Sequence, residues 1–255
     1  MADRSGPIGV LDSGVGGIST LGAMTRLLPG ETFLYYGDTR NAPYGTKSTE
    51  EVIALVRRVA EYLEDEGVKA LVLACNTASG AAAATLRQEK SMPVIAMEPA
   101  LKPAYEAAHR GKILVMATPL TLRQEKFIRL MEKYGENAVP LPCDGLMELV
   151  ERENMAGAEA YLERLFSSWD MGTVAAVVLG CTHYVFLKPM IREMLPADII
   201  LTEGNEGTAR QLKRVLEQRE LLNPAEKGRV IFHTSGDAET VIPVMERLYE
   251  RAKKL

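Results

Sequence analysis

The sequence predicts an α/β protein of two similar domains with mostly parallel sheets, and three observations carry that prediction. Short apolar runs alternate with helix-period segments along the 255 residues, which is the pattern of strand–helix–strand units. Two runs match each other: Ala70-Leu-Val-Leu-Ala-Cys75-Asn-Thr77 and Ala176-Val-Val-Leu-Gly-Cys181-Thr-His183, each apolar until it stops at a cysteine. A second pair, Ile8 to Asp12 and Ile113 to Ala117, is separated by 105 positions, against 106 for the two cysteines. Nearly one offset shared by two motifs implies a duplicated unit, longer than a solenoid repeat.

The elements follow in order. Ile8 to Leu11 is a short buried strand, Asp12-Ser13-Gly14-Val15-Gly16-Gly17 a turn, and Ile18, Leu21, Met24, Leu27 and Leu28 lie at helical spacing. Phe33 to Tyr36 reads as a strand, and Gly37 to Gly45 as a loop rich in turn residues. Ser48 with Glu51 makes a capping box for a helix that stops near Gly67. Lys69 to Cys75 is a strand, Ser79 to about Lys90 a helix and Pro93 to Met97 a strand. In the second half Lys112 to Ala117 is a strand, after which Thr118 caps a helix with Pro119 first, running to Tyr134. Val139 to Leu141 is a strand, Gly145 to Arg152 and Ala156 to Ser167 are helical, and Val174 to Gly180 is the strand ending at Cys181. Ile199 to Leu201, a helix Thr208 to Gln218, a strand Val230 to His233 and a helix Asp237 to Arg251 complete the chain. The expected division is 1–97 plus 208–255 for the first domain and 98–207 for the second.

Composition narrows the functional classes. Hydrophobic residues at 47% and charged residues at 25% are ordinary for a globular protein. Thirty basic against thirty-four acidic side chains, with no basic block, argue against nucleic acid as a partner. No apolar run reaches the ~18 residues needed to cross a bilayer, and Met1 to Ser5 lead into a strand without a signal-like apolar stretch. A cytoplasmic location and no membrane partner are therefore expected. Three cysteines without a CxxC pair do not form a disulfide framework, so reduced thiols are expected.

Parallel strands share a C-terminal edge, and ligands bind outside that edge. If the two domains face each other, Asp12, Ser13, Cys75, Asn76, Thr77, Thr118, Cys181, Thr182 and His183 converge on one cleft between them. The site would be nearly mirror-symmetric in its reactive groups. Removing a proton from one face of a carbon and returning one to the other face has that symmetry, and it needs one acid/base group per face; the expected chemistry is racemisation or epimerisation. A thiol suits the role if a neighbour favours the thiolate, since a free cysteine has a pKa of about 8.5. Asp12 is the expected helper of Cys75, and His183 of Cys181.

Other readings stand beside this one. Isolated cysteines are often core residues, and Cys143, which has no counterpart in the repeat, is read that way. His109 and His233 read as surface and strand-end residues. Cys181 and His183 lack a second ligand pair, so no metal is expected. Gly14-x-Gly16 after a strand, with Asp38 further on, resembles part of a dinucleotide fingerprint, but its third position falls on Ser19. A solute-binding protein of two α/β lobes is a further alternative.

Asp12-Ser-Gly-Val-Gly-Gly17, Ala42-Pro-Tyr-Gly45, Ala74-Cys-Asn-Thr-Ala-Ser79, Glu98-Pro-Ala100, Leu179-Gly-Cys-Thr-His-Tyr184 and Thr234-Ser-Gly-Asp237 resemble the motifs of bacterial glutamate racemases over nearly the whole chain. The resemblance implies two pseudosymmetric flavodoxin-like domains around the substrate. It also implies cofactor-independent interconversion of L- and D-glutamate, supplying D-glutamate for peptidoglycan. Carried over by position, Cys75 and Cys181 are the two bases and Asp12, Glu151 and His183 their helpers. Ser13, Pro43, Tyr44, Gly45, Asn76, Thr77, Thr118, Thr121 and Thr182 hold the substrate. Spacing selects Glu151, with Glu148 three residues away on the same helical face. The family's Tyr-Pro after the second Cys-Thr-His is Tyr184-Val185 here. A homodimer stays open as the state of assembly.

Overall fold

The computed structural model describes residues 4–108, 110–225 and 227–255, and His109 lies outside them. The chain forms two compact units, Met1–Met97 with Asn205–Leu255, and Glu98–Gly204.

The first unit is built on five parallel strands, β1 (Ile8–Asp12), β2 (Phe33–Gly37), β3 (Ala70–Leu73), β4 (Val94–Ala96) and β9 (Val230–Thr234), in the order β4-β3-β1-β2-β9. The second has four, β5 (Lys112–Ala117), β6 (Ala138–Pro142), β7 (Val174–Leu179) and β8 (Ile200–Glu203), in the order β6-β5-β7-β8. Reading the second sheet backwards gives β8-β7-β5-β6, the same succession as β4-β3-β1-β2. The sequence offset therefore has a topological counterpart, with β1 matching β5 and β3 matching β7. In both sheets the chain leaves the central strand for one neighbour and returns to the other, which makes the end of β1 and the end of β5 topological switch points.

Apolar residues on both faces of the strands explain why the sheets are interior. Ile8, Val10 and Leu11 of β1 and Leu71, Val72 and Leu73 of β3 are fully buried, each worth ~1.5–3 kcal/mol of transfer from water. In the second unit Ile113, Val115, Ala176 and Val178 pack with Phe127 and Leu130 in one core cluster.

Helices α1 (Ile18–Leu27), α2 (Thr49–Asp65), α3 (Asn76–Glu89), α10 (Asn205–Gln218) and α11 (Ala238–Ala252) belong to the first unit. The capping box at Ser48 is present in full, with the Glu51 N–H donating to Ser48 Oγ and the Ser48 N–H donating to Glu51. A buried ion pair of Lys69 and Glu31, 2.6 Å long, ties the start of β3 to the approach to β2. Helices α4 (Leu101–Ala107), α5 (Pro119–Arg123), α6 (Glu125–Tyr134), α7 (Leu146–Glu151), α8 (Met155–Ser167) and α9 (Lys188–Met194) belong to the second. Among the described residues no helix is long and apolar enough to cross a membrane.

Several bounds differ from the sequence expectation. The helix expected from Ser79 begins at Asn76, because Cys75 itself occupies the cap position and its sulfur accepts the Ala78 N–H. The helix expected to run unbroken to Tyr134 is interrupted at Gln124, whose ψ of 143° is extended and whose carbonyl then accepts from Phe127 and Ile128 to start α6. The helix expected from Thr208 begins at Asn205, whose Oδ1 accepts the Thr20 hydroxyl at 2.7 Å. Helices α4 and α9 are additions; each carries a proline in its first turn, where the missing N–H has no helical acceptor.

Candidate functional site

The strand ends of the first unit carry the first thiol. Asp12 closes β1, is fully buried, and its Oδ1 accepts the Gly14 N–H at 2.8 Å, which shapes the turn into α1. Gly17 has no alternative there: a Cβ would stand 2.7 Å from Asp12 Cβ and 2.9 Å from Ala74 Cβ. The close approach brings the Asp12 turn against the end of β3, and Ser13 Oγ lies 3.6 Å from Cys75 Sγ. Cys75 is 7% exposed and caps the fourteen-residue α3, its sulfur 3.4 Å from the Ala78 N–H. The positive end of a helix favours a thiolate over a thiol at that position.

Asn76 and Thr77 open α3 and are buried. Asn76 Oδ1 is buried without a hydrogen-bond partner among the described residues. An acceptor in that state costs ~1–3 kcal/mol unless a ligand brings it a donor.

The loop after β2 stands beside these groups. The Asp38 N–H donates to the Asp12 carbonyl at 2.9 Å. Tyr44 Oη donates to Asp38 Oδ2 at 2.6 Å and Asn41 Nδ2 to Asp38 Oδ1 at 2.8 Å. Burial, followed by the bond to Asp38 and that carboxylate's charge, pushes the Tyr44 hydroxyl far above its ordinary range, with smaller contributions from Cys75 and Asp12. Tyr44 is thus a fixed neutral phenol. Pro43, after a cis bond, and the buried Gly45 flank it. Asp38 is the residue that sequence reasoning left in the wrong context: it anchors Tyr44 and Asn41, and its only signal was a carboxylate at the end of a strand before a turn-rich loop.

The second unit carries the other thiol. Thr118 follows β5 and caps α5, its Oγ1 3.3 Å from the Thr121 N–H and 2.9 Å from Thr121 Oγ1. At the end of the neighbouring β7, Gly180 runs so close to β5 that a Cβ would stand 2.7 Å from the Met116 carbonyl oxygen. Cys181 is 8% exposed and leads into a short 3-10 helix, Thr182–Leu187, rather than an α-helix. Thr182 and His183 are buried.

Cys181 Sγ is 3.7 Å from His183 Nδ1, and His183 Nε2 is 3.0 Å from Glu151 Oε1 at the end of α7. Burial disfavours the imidazolium, but the hydrogen bonds and charges of Cys181 and Glu151 outweigh it, so His183 is held well above its ordinary pKa. With the carboxylate fixing Nε2–H, Nδ1 is free to take a proton from the thiol or give one back. The contact goes to Glu151, not to its helical neighbour Glu148. Cys143, by contrast, is a core thiol: burial pushes its pKa to about 12, and its sulfur donates to the Leu141 carbonyl oxygen at 3.4 Å.

Each unit therefore presents a buried thiol with a hydrogen-bonding neighbour of its own, the Ala78 N–H for Cys75 and His183 Nδ1 for Cys181. Asp12, Ser13, Tyr44, Cys75, Asn76 and Thr77 gather in the first unit, and in the second Thr118 and Thr121 follow β5, Glu151 closes the helix after β6, and Cys181, Thr182 and His183 follow β7. His233, at the end of β9, bonds instead to Tyr62 Oη at 2.7 Å.

Comparison with known proteins gives these groups a family. The Asp/Glu/Hydantoin racemase family model matches residues 9–212. The glutamate racemase of Clostridium acetobutylicum is 46% identical over 98% of this chain and 100% of its own length. The crystal structure of glutamate racemase from Thermus thermophilus, in complex with beta-chloro-D-alanine, superposes with a TM-score of 0.83 at 38% identity, covering 96% of this chain and 94% of that one. That of Francisella tularensis glutamate racemase, in complex with D-glutamate, gives 0.82 at 28% identity, over 97% of this chain and 94% of the other. With a family model across most of its length and a full-length relative at that identity, the chain belongs to the glutamate racemases of the Asp/Glu/hydantoin racemase family, and is an isomerase.

Proposed function

We propose that the protein interconverts L- and D-glutamate by proton transfer at Cα, with Cys75 and Cys181 as the two bases and no cofactor. The observation that carries this reading is the pair of buried thiols, each two residues beyond the strand beside its unit's central strand and each in contact with a hydrogen-bonding neighbour. In one direction a thiolate removes the α-proton while the other thiol delivers its own proton to the opposite face. The two then hold the reverse protonation states, and the return reaction restores them.

Asp12 and Ser13 position Cys75, while His183, held by Glu151, accepts or supplies the proton of Cys181. Asn76 Oδ1 is an acceptor for the substrate ammonium, consistent with its burial without a partner. Ser13, Pro43, Tyr44, Gly45, Thr77, Thr118, Thr121 and Thr182 complete the binding of the ammonium and carboxylates, with backbone N–H groups at helix starts suited to the latter. The product D-glutamate supplies peptidoglycan synthesis in the cytoplasm.

The test is incubation of the chelator-dialysed protein with L-glutamate in deuterated water without added cofactor. D-Glutamate bearing deuterium at Cα is expected. Unchanged glutamate from folded protein would sink the substrate assignment, and a requirement for pyridoxal phosphate or metal would sink the mechanism.

A further inference from the structure

A cavity of about 310 Å³ lies in the first unit behind the loop that carries Tyr44. Its polar wall is Tyr36 and Asp38 at the end of β2, Arg40 and Asn41 in the following turn, Arg58 on α2, and Ser235 after β9. Among the described residues neither Arg40 nor Arg58 is paired with a carboxylate, whereas the adjacent Arg57 is clamped on Glu89 through Nε and Nη2. Both guanidiniums act on the Tyr36 phenol: burial and the Asp38 charge raise its pKa, and Arg40 and Arg58 pull against that rise. Asp38 is the cavity's carboxylate, but its two oxygens are engaged by Tyr44 and Asn41.

Two cations without anionic partners around one cavity, with hydroxyl groups beside them, are suited to an anion with several oxygens. Guanidinium forks match phosphate geometry and hold it by charge-assisted bonds. The volume is at the lower end of the roughly 300–1,000 Å³ typical of small-molecule pockets, leaving space for a phosphate and a modest organic group. We propose that this cavity binds a small phosphorylated molecule, with its phosphate held by Arg40 and Arg58. Its occupant would touch Asp38 and Asn41, the residues that anchor Tyr44. Binding is therefore coupled to glutamate affinity, and the coupling, unlike the site, rests on the substrate role proposed for Tyr44.

The test is calorimetric titration of the full chain with inorganic phosphate at ionic strength fixed by chloride. It is repeated with Arg40→Gln, Arg58→Gln and the double variant, all at exposed positions and checked for unchanged thermal midpoint. Saturable binding is expected for the wild type, weakened by about tenfold or more in the double variant, with malonate binding more weakly than phosphate. No saturable heat, or equal affinity in the double variant, would overturn the site; equal binding of malonate would overturn its preference for phosphate. Phosphate should also shift the KM for glutamate in the wild type and not in the double variant, and an unmoved KM would overturn the coupling. A protein that binds phosphate through the arginines but does not racemise glutamate would leave the site standing and remove the proposed activity. The converse result would do the opposite.

Discussion

Cys75 and Cys181 follow equivalent strands, yet what comes after each strand differs. Cys75 caps a fourteen-residue α-helix and receives a backbone N–H, so one source of stabilisation for its thiolate is built into the backbone. Cys181 begins a six-residue 3-10 helix and is served by a side-chain pair, His183 and Glu151. The two units keep the thiol at the same place in the strand order and differ in its immediate neighbours. The difference teaches that the two thiols have unequal surroundings: one sits at a helix start, the other beside a group that can itself change protonation.

Removing either thiol should have the largest effect. Cys75→Ser and Cys181→Ser should each lower kcat for racemisation by about 10³-fold or more, the scale of a lost general acid/base group, in a coupled assay of D-glutamate formation. Near-normal turnover in either variant would end the comparison, because only one thiol would then be a base.

The side-chain arm of the contrast is sharpened by His183→Asn, expected to cost about 10²-fold in kcat. With α-deuterated glutamate, its primary isotope effect should rise for the enantiomer deprotonated by Cys181 and not for the other. Equal changes for both enantiomers would show that His183 serves both thiols. A smaller loss, about tenfold, is expected for Glu151→Gln, with a signature in stability. Because His183 binds its proton more tightly when folded, the stabilisation is fully present below the ordinary histidine pKa of about 6.5. It is lost as pH rises through the higher folded value. The stability gap between wild type and Glu151→Gln, measured by urea unfolding, should therefore be larger at pH 6 than at pH 9.

The smallest effect on turnover belongs to Cys143→Ala. This thiol is not poised for ionisation, so kcat should change less than about twofold while the cavity left behind costs ~1–3 kcal/mol in urea unfolding.

Much of this contrast was legible in the chain, for identifiable reasons. Buried parallel strands are continuous apolar runs, so β1, β3, β5 and β7 stood out, as did the residues at which they stop. Side-chain caps with ordinary chemistry, Ser48 and Thr118, were equally plain. The cap at Cys75 was not, because cysteine is not among the usual cap residues, and the start of α3 was placed a turn late. The 3-10 helix after Cys181 carries no periodic signal, since every residue from Thr182 to Leu187 is buried. Glu151 could be separated from Glu148 by resemblance and spacing alone. Their distinction in space comes from a contact to His183, 32 positions away. Asp38 was hidden in the same way, its role set by partners in a folded loop.

The central claim is that each thiol serves one face of Cα, and the most direct measurement is hydrogen exchange without inversion. Cys75→Ser and Cys181→Ser are each incubated separately with L- and D-glutamate in deuterated water, and α-deuterium is followed by mass spectrometry and chiral separation. Each variant should exchange the α-proton of only one enantiomer, and the two variants should select opposite enantiomers. Exchange of the same enantiomer by both variants, or of both enantiomers by either one, would contradict the account.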